Sequence, residues 1–236
     1  MNRGAAQTIA RQFAGWHPAR PAQCGATAHP LREILGHSKW ASLPRAVQQR
    51  FARKVVGGAC ISYVGEVVSC RTSRLGKLFA QLGRLVGAPL PLGEEEGVAA
   101  QVSVTGDAEG FSQYWTRSYN RAGHFPQTIH SVKRFAGPTG LEEYLGFGVG
   151  IALSLDVVDQ ALLFVSDHYF VKIGGLRLRL PRWMEPGALT VSHIDCGTDA
   201  EGRGRFAFVL ELQHPQLGEL FHQLAVFADP AGSGAP

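Results

Sequence analysis

Beyond residue 97 the chain alternates between apolar and polar positions in short runs, which is the period of a half-buried β-strand. Stretches such as GDAEG, AGPTG and HPQLG separate the runs and predict tight turns. With an earlier run at 59–70, we expect strands at 98–105, 111–119, 128–136, 141–154, 161–173, 175–180, 189–196, 204–214 and 218–227. About ten antiparallel strands curl strongly or close on themselves. The pattern therefore predicts a strongly curved antiparallel sheet or a closed β-barrel.

Helical spacing of apolar residues occurs only before these later strands. Two short stretches within 29–55 have one apolar stripe each and predict N-terminal helices. The segment 73–87, SRLGKLFAQLGRLVG, is amphipathic, and Arg74, Lys77 and Arg84 lie on its polar face. We expect this helix to pack against the sheet, although such a basic face also suits a membrane surface. The expected class is mainly β, of the α+β type.

The length and composition are those of one globular domain. At 236 residues with 45% hydrophobic and 18% charged residues, the chain can bury a sizeable core. We expect a single β-rich domain over 29–228, a flexible N-terminal tail over 1–28 and a disordered C-terminal tail over 229–236. The formal net charge of +4 is spread along the chain, so nucleic acid is not an expected partner. A protein partner could bind through the N-terminal tail.

Several other classes are disfavoured by missing patterns. No run approaches the length of a transmembrane helix, and the N-terminus lacks the pattern of a secretory signal, so a cytoplasmic location is expected. The four cysteines have no zinc-ligand spacing, and we expect them to be reduced. Glycine-rich phosphate loops and a serine nucleophile motif are absent from the sequence as well. We predict neither a metal nor a cofactor.

The run LEEYLGFGVGIALSL has the most unusual pattern. If it is one strand, Gly146, Gly148 and Gly150 lie on one face and leave a bare groove. The groove would admit the amphipathic helix, permit sharp curvature, or hold a ligand that meets Glu142 and Tyr144 at one end. We include Glu142 and the three glycines among the candidate ligand-binding residues.

Aromatic residues complete the candidate binding set. Trp115 and Trp183 lie in runs that alternate aromatic and arginine residues, and Tyr169 lies in the polar stretch SDHYF. Such side chains can contact a planar or apolar molecule. Alternation of this kind is equally typical of a sheet with one solvated face, on which Arg177 and Arg179 would face water.

A small set of titratable side chains could act as general acid or base. The candidates are His130, His168, Tyr144 and Glu143. Asp167 and His168 are adjacent, so they point to opposite faces of a regular strand unless a bulge intervenes. His193 and Asp195 share a strand face, but two residues do not make a metal site.

The order of several motifs resembles one known family. LREILG, SRLGKLFAQLGRLVGAPLP, YWTRSY, LRLRLPRWMEP and GRFAFVLELQHPQLGEL follow one another as in the bacterial domain of unknown function 4166 family, over about residues 30–228. In that family the domain stands alone or is attached to enzymes such as saccharopine-dehydrogenase-like proteins. The resemblance implies the arrangement of elements and assigns no catalytic residue.

Three functions remain open from the sequence. The leading hypothesis is a barrel that binds an apolar small molecule, because many strands would present apolar inner faces. The second is a cofactor-independent isomerase or cyclase acting on a hydrophobic biosynthetic intermediate. The third is an accessory domain that binds another protein.

Overall fold

A computed structural model describes residues 30–85, 90, 96–121, 123 and 125–230. Its helices are α1 (Pro30–Leu35), α2 (His37–Ser42), α3 (Arg45–Ala52) and α4 (Arg74–Leu85). Its strands are β1 (Cys60–Thr72), β2 (Val98–Gly106), β3 (Ser112–Asn120), β4 (Gln127–Arg134), β5 (Glu142–Gly146), β6 (Val149–Val158), β7 (Ala161–Ile173), β8 (Leu176–Arg179), β9 (Ala188–Thr198), β10 (Gly204–His214) and β11 (Gly218–Ala228). A single 3₁₀ turn, Arg182–Met184, lies between β8 and β9.

Ten of these strands close into an antiparallel barrel. The sheet runs β6-β5-β4-β3-β2-β1-β11-β10-β9-β7, and pairing of β6 with β7 joins its two ends. Two strands pair with the same edge of β7: its first half pairs with β9, and its last four residues pair with β8. The predicted barrel is confirmed, with β8 as an additional strand outside the closed ring.

The alternating pattern assigns each strand an inner and an outer face. Val104 is paired with both Ile61 and Trp115, so the three side chains share the inner face. The same parity places Phe206 and Phe208 of β10 inside. The largest core cluster fills this part of the interior and is rich in aromatic rings.

The two ends of the barrel differ. At the end where β1 begins, which we call the cap end, α1–α3 pack over the strands with Leu31, Trp40 and Val47 buried. At the other end, which we call the distal end, α4 follows β1 and contacts β1 and β11. The helix approaches β11 so closely that a Cβ at Gly76 would overlap the Leu220 carbonyl. The expectation of one amphipathic helix against the sheet is thus confirmed.

The predicted continuous strand over 141–154 is wrong. The chain reverses at Phe147 and Gly148, which have φ of 46° and 81°, and this turn separates β5 from β6. Both positive φ values are those of a two-residue hairpin turn that matches the twist of its strands. No bare glycine groove forms, because Gly146 and Gly148 lie at the turn and a Cβ at Gly150 would overlap the ring of Phe170.

The two predicted tails lie mostly outside the described residues. Nothing is described for 1–29 or 231–236. Asp229, which the prediction placed in the C-terminal tail, bonds through its backbone to Gly204 and through its carboxylate to Arg50. The described fold therefore extends past β11. None of the described helices is long and apolar enough to cross a membrane.

Candidate functional site

A pocket lies at the cap end, between α3 and the inner faces of the strands. Leu31, Arg50 and Phe51 form its helical side. Its barrel side consists of inward-facing residues, namely Ile61, Tyr63, Val104, Gln113, Trp115, His193, Phe206 and Phe208. The volume of the pocket that water can occupy is about 40 Å³. Since one water needs about 10–15 Å³ by this measure, the pocket has room for a few waters or a small planar group.

Aromatic rings dominate the pocket wall. The imidazole of His193 lies 4.9 Å from the ring of Phe51, 4.8 Å from Phe206 and 5.1 Å from Phe208, measured between ring centroids. Burial among these rings and, to a smaller extent, the charge of nearby Arg50 together lower the pKa of His193 to about 3. His193 is therefore neutral at physiological pH. Its Nδ1 is buried and has no hydrogen-bond partner among the described residues.

An ion-pair network fixes α3 to the barrel beside the pocket. The Arg50 guanidinium donates to both carboxylate oxygens of Asp229 at 3.0–3.2 Å and to Asp195 at 2.9 Å. Its Cζ also lies 4.7 Å from the centroid of the Phe206 ring. Because Arg50 is buried and both acceptors are partly buried, loss of this side chain would leave two uncompensated carboxylates. The network thus holds the helical wall of the pocket in place.

A second charged cluster lies inside the barrel next to the Trp115 ring. Lys133 donates to Glu143 at 2.6 Å, and Arg117 donates to the same carboxylate at 3.3 Å. Burial alone would raise the pKa of Glu143, but the two cations and the bond from Ser131 lower it to about 2. The cluster contains two cations and one carboxylate, and Nζ of Lys133 lies 4.8 Å from the Trp115 ring.

The predicted catalytic residues are not assembled at one place. Glu143 lies inside the barrel, whereas Tyr144 and His168 lie on the outer face, where the Arg177–Glu142 pair joins them. His130 is also outside and bonds to Thr116 at 3.1 Å. Their roles as acid or base stay a prediction.

The outer cluster contains a β-bulge, which is the condition for contact between Asp167 and His168. The register of β6 and β7 shifts opposite Asp167, and its carboxylate lies 2.6 Å from Nδ1 of His168. Nε2 of His168 accepts from Arg177, so both ring nitrogens are occupied. Arg177 does not face water as expected: it stacks 3.9 Å from the Phe170 ring centroid and fastens β8 to the barrel.

The predicted ligand-binding residues are spread over several places. Trp115 lines the pocket, and Tyr169 lies inside the barrel. Glu142 is on the outer wall, Gly146, Gly148 and Gly150 lie at or next to the β5–β6 turn, and Trp183 is 82% exposed in the 3₁₀ turn. Arg50 and Phe51 were missed, since nothing local links α3 to strands more than a hundred residues away. The FAF pattern at 206–208 could have indicated an aromatic inner face.

Fold and pocket together define a ten-stranded antiparallel barrel with a helical cap and an aromatic pocket beneath it. The family model "Domain of unknown function (DUF4166)" matches residues 43–227. The chain therefore belongs to this family. Neither the curated proteins nor the solved structures gave a match.

Proposed function

We propose that the barrel binds a small, mainly apolar molecule that enters its interior from the cap-end pocket. The observation that carries the proposal is incomplete filling of the interior. Phe208 and Leu210 on β10, and Val191 on β9, face inward within their strands but remain partly exposed. Side chains that fill a barrel completely leave no accessible surface at such positions.

The chemistry of the lining suggests which ligands suit it. Aromatic rings on several sides favour a flat apolar body. Arg117 points inward, its side chain is 25% exposed, and its Cζ lies 5.7 Å from the Trp115 ring centroid. Because Arg117 and Lys133 share a single carboxylate, this cluster has one more cation than anions, and an acidic group on the ligand would offset the difference.

A pair of fluorescent probes tests this proposal. The 2-naphthoate ion is flat, mainly apolar and anionic, and naphthalene is its neutral analogue. We expect both to bind, and Arg117→Gln to weaken the anionic probe more than the neutral one. Native mass spectrometry of the purified protein should show one bound molecule.

Two variants on β1 provide the matched control. Ile61→Trp fills the pocket from the inner face and should lower probe affinity by about tenfold or more. Val64→Trp adds the same side chain on the outside, where Val64 is 65% exposed, and should leave affinity unchanged. Equal affinity in the two variants, or no probe binding at all, would contradict the proposal.

The isomerase or cyclase alternative has no comparable support. Glu143 is held ionised by two cations, and the remaining candidates lie on the outer face away from the pocket. The accessory-domain alternative depends on the N-terminal tail, which lies outside the described residues.

A further inference from the structure

Exposed apolar side chains ring the distal end of the barrel. The tips of four connections at this end contain Phe125, Phe147, Ile173 with Leu176, and Leu217, which are 96%, 72%, 66%, 60% and 43% exposed respectively. Single exposed apolar residues are common, but several large ones gathered at one end of a protein are typical of an interaction site. Phe147 is moreover held at φ of 46°, which a bulky side chain rarely adopts.

Helix α4 adds to the same end. It turns Phe79 toward the barrel core, while Leu75, Leu78 and Leu82 are about half exposed. Arg74 and Arg84 are exposed on the same helix, and Arg71 at the end of β1 is exposed and pairs with Glu219 of β11. The distal end thus combines apolar side chains with cationic ones.

The cap end has no comparable excess of cations. Its turns contain five acidic residues, Asp107, Glu109, Asp159, Asp199 and Glu201, and the last two pair with Arg203. Basic residues on and after α3, namely Arg45, Arg53 and Lys54, offset the other three. An anionic surface would therefore attract the distal end more strongly than the cap end.

From the apolar tips and the exposed cations of the distal end we propose that this end docks on the surface of an anionic lipid bilayer. The apolar tips belong to separate connections around a ring, an arrangement that suits a broad surface better than a single extended peptide. A bilayer needs only several tips at one level, which enter the boundary between headgroups and acyl chains while basic side chains contact anionic lipid. Docking would be peripheral and does not depend on the proposed ligand.

Vesicle flotation with the full chain tests the inference. We expect binding to vesicles of phosphatidylcholine mixed with phosphatidylserine, weaker binding to phosphatidylcholine alone, and weakening by salt. Phe125→Ser and Phe147→Asn should each lower the partition coefficient by about tenfold. Arg74→Gln should lower it by about fivefold.

A matched variant at the other end controls for general surface hydrophobicity. Phe111 is 43% exposed in the β2–β3 turn of the cap end, and Phe111→Ser should leave flotation unchanged. Asn tolerates the left-handed backbone of position 147, so loss of binding there would not reflect unfolding. Absence of phosphatidylserine-dependent binding, or equal loss in Phe111→Ser, would overturn the inference. The probe-binding experiment would be unaffected, which separates this failure from failure of the proposed function.

Discussion

The buried imidazole of His193 should make the stability of the fold depend on pH. In the folded state the pKa of His193 is lowered to about 3 from an ordinary value of 6.5. Between these values the unfolded chain binds a proton at this residue and the folded chain does not. The contribution of His193 is thus fully present above pH 6.5 and is lost progressively as the pH falls toward 3.

The size of the effect follows from the shift. Each pH unit below the unfolded pKa costs about 1.4 kcal/mol. Between about pH 7 and about pH 4.5, His193 should therefore lower the free energy of unfolding by about 2–3 kcal/mol. His193→Phe keeps an aromatic ring among Phe51, Phe206 and Phe208 and removes the titrating group. The difference in pH dependence between variant and wild type therefore isolates this residue from the other eight histidines.

Urea unfolding, followed by far-ultraviolet circular dichroism at several pH values, measures the effect. We expect His193→Phe to flatten the pH dependence by about 2–3 kcal/mol over this range. Phe208→Leu changes the packing around His193 without removing a titratable group. The free energy of unfolding that it costs should therefore be the same at every pH. If His193→Phe shows the wild-type pH dependence, the imidazole is not held neutral and the reasoning is refuted.

Three other substitutions test the packing and the buried charges, each by urea unfolding. Arg50→Met should cost about 3–5 kcal/mol because two partly buried carboxylates lose their cation, and a loss below about 1 kcal/mol would contradict the role given to this network. Gly150→Ala should cost about 1–3 kcal/mol by forcing a Cβ into an aromatic ring, whereas Gly175→Ala, with open space around it, should cost far less. Glu143→Gln should cost about 3–5 kcal/mol at neutral pH by leaving Lys133 buried and unpaired. Because the pKa of Glu143 is about 2 when folded and 4.5 ordinarily, that deficit should shrink as the pH falls from 4.5 toward 2, and a constant deficit would show that the carboxylate is not held ionised.

The strands could be predicted where apolar alternation ends at recognisable turn residues. Strand β10, for example, lies between TDAEGRG and HPQLG and was placed correctly at 204–214. The β5–β6 turn could not be found in this way. Leu145, Phe147 and Val149 keep the apolar alternation through the reversal, and phenylalanine is an unusual choice for a residue with positive φ. Periodicity alone therefore joined two strands into one.

The pocket could not be predicted because it depends on contacts between distant parts of the chain. Arg50 meets Asp195 and Asp229 across 145 and 179 residues of sequence, and no local pattern marks any of the three. The glycines, in contrast, gave a strong local signal that proved to concern a turn and a close ring contact. The glycine-rich run marked a segment whose backbone is constrained. A constrained backbone does not by itself indicate that a ligand binds there.

The two ends of the barrel suggest a division of roles that links the proposals without making either depend on the other. Arg50 holds α3 against the barrel at the cap end. A small ligand can enter the pocket with this ion-pair network intact, whereas a large one would have to disturb it. On the distal side of Leu210, the inner residues Leu212 and Phe221 are paired and buried, so the unfilled space does not reach the apolar rim. The interior pocket and the distal rim are therefore separate features of the barrel. Ile61→Trp should lower probe affinity and leave vesicle flotation unchanged, and Phe125→Ser should do the reverse.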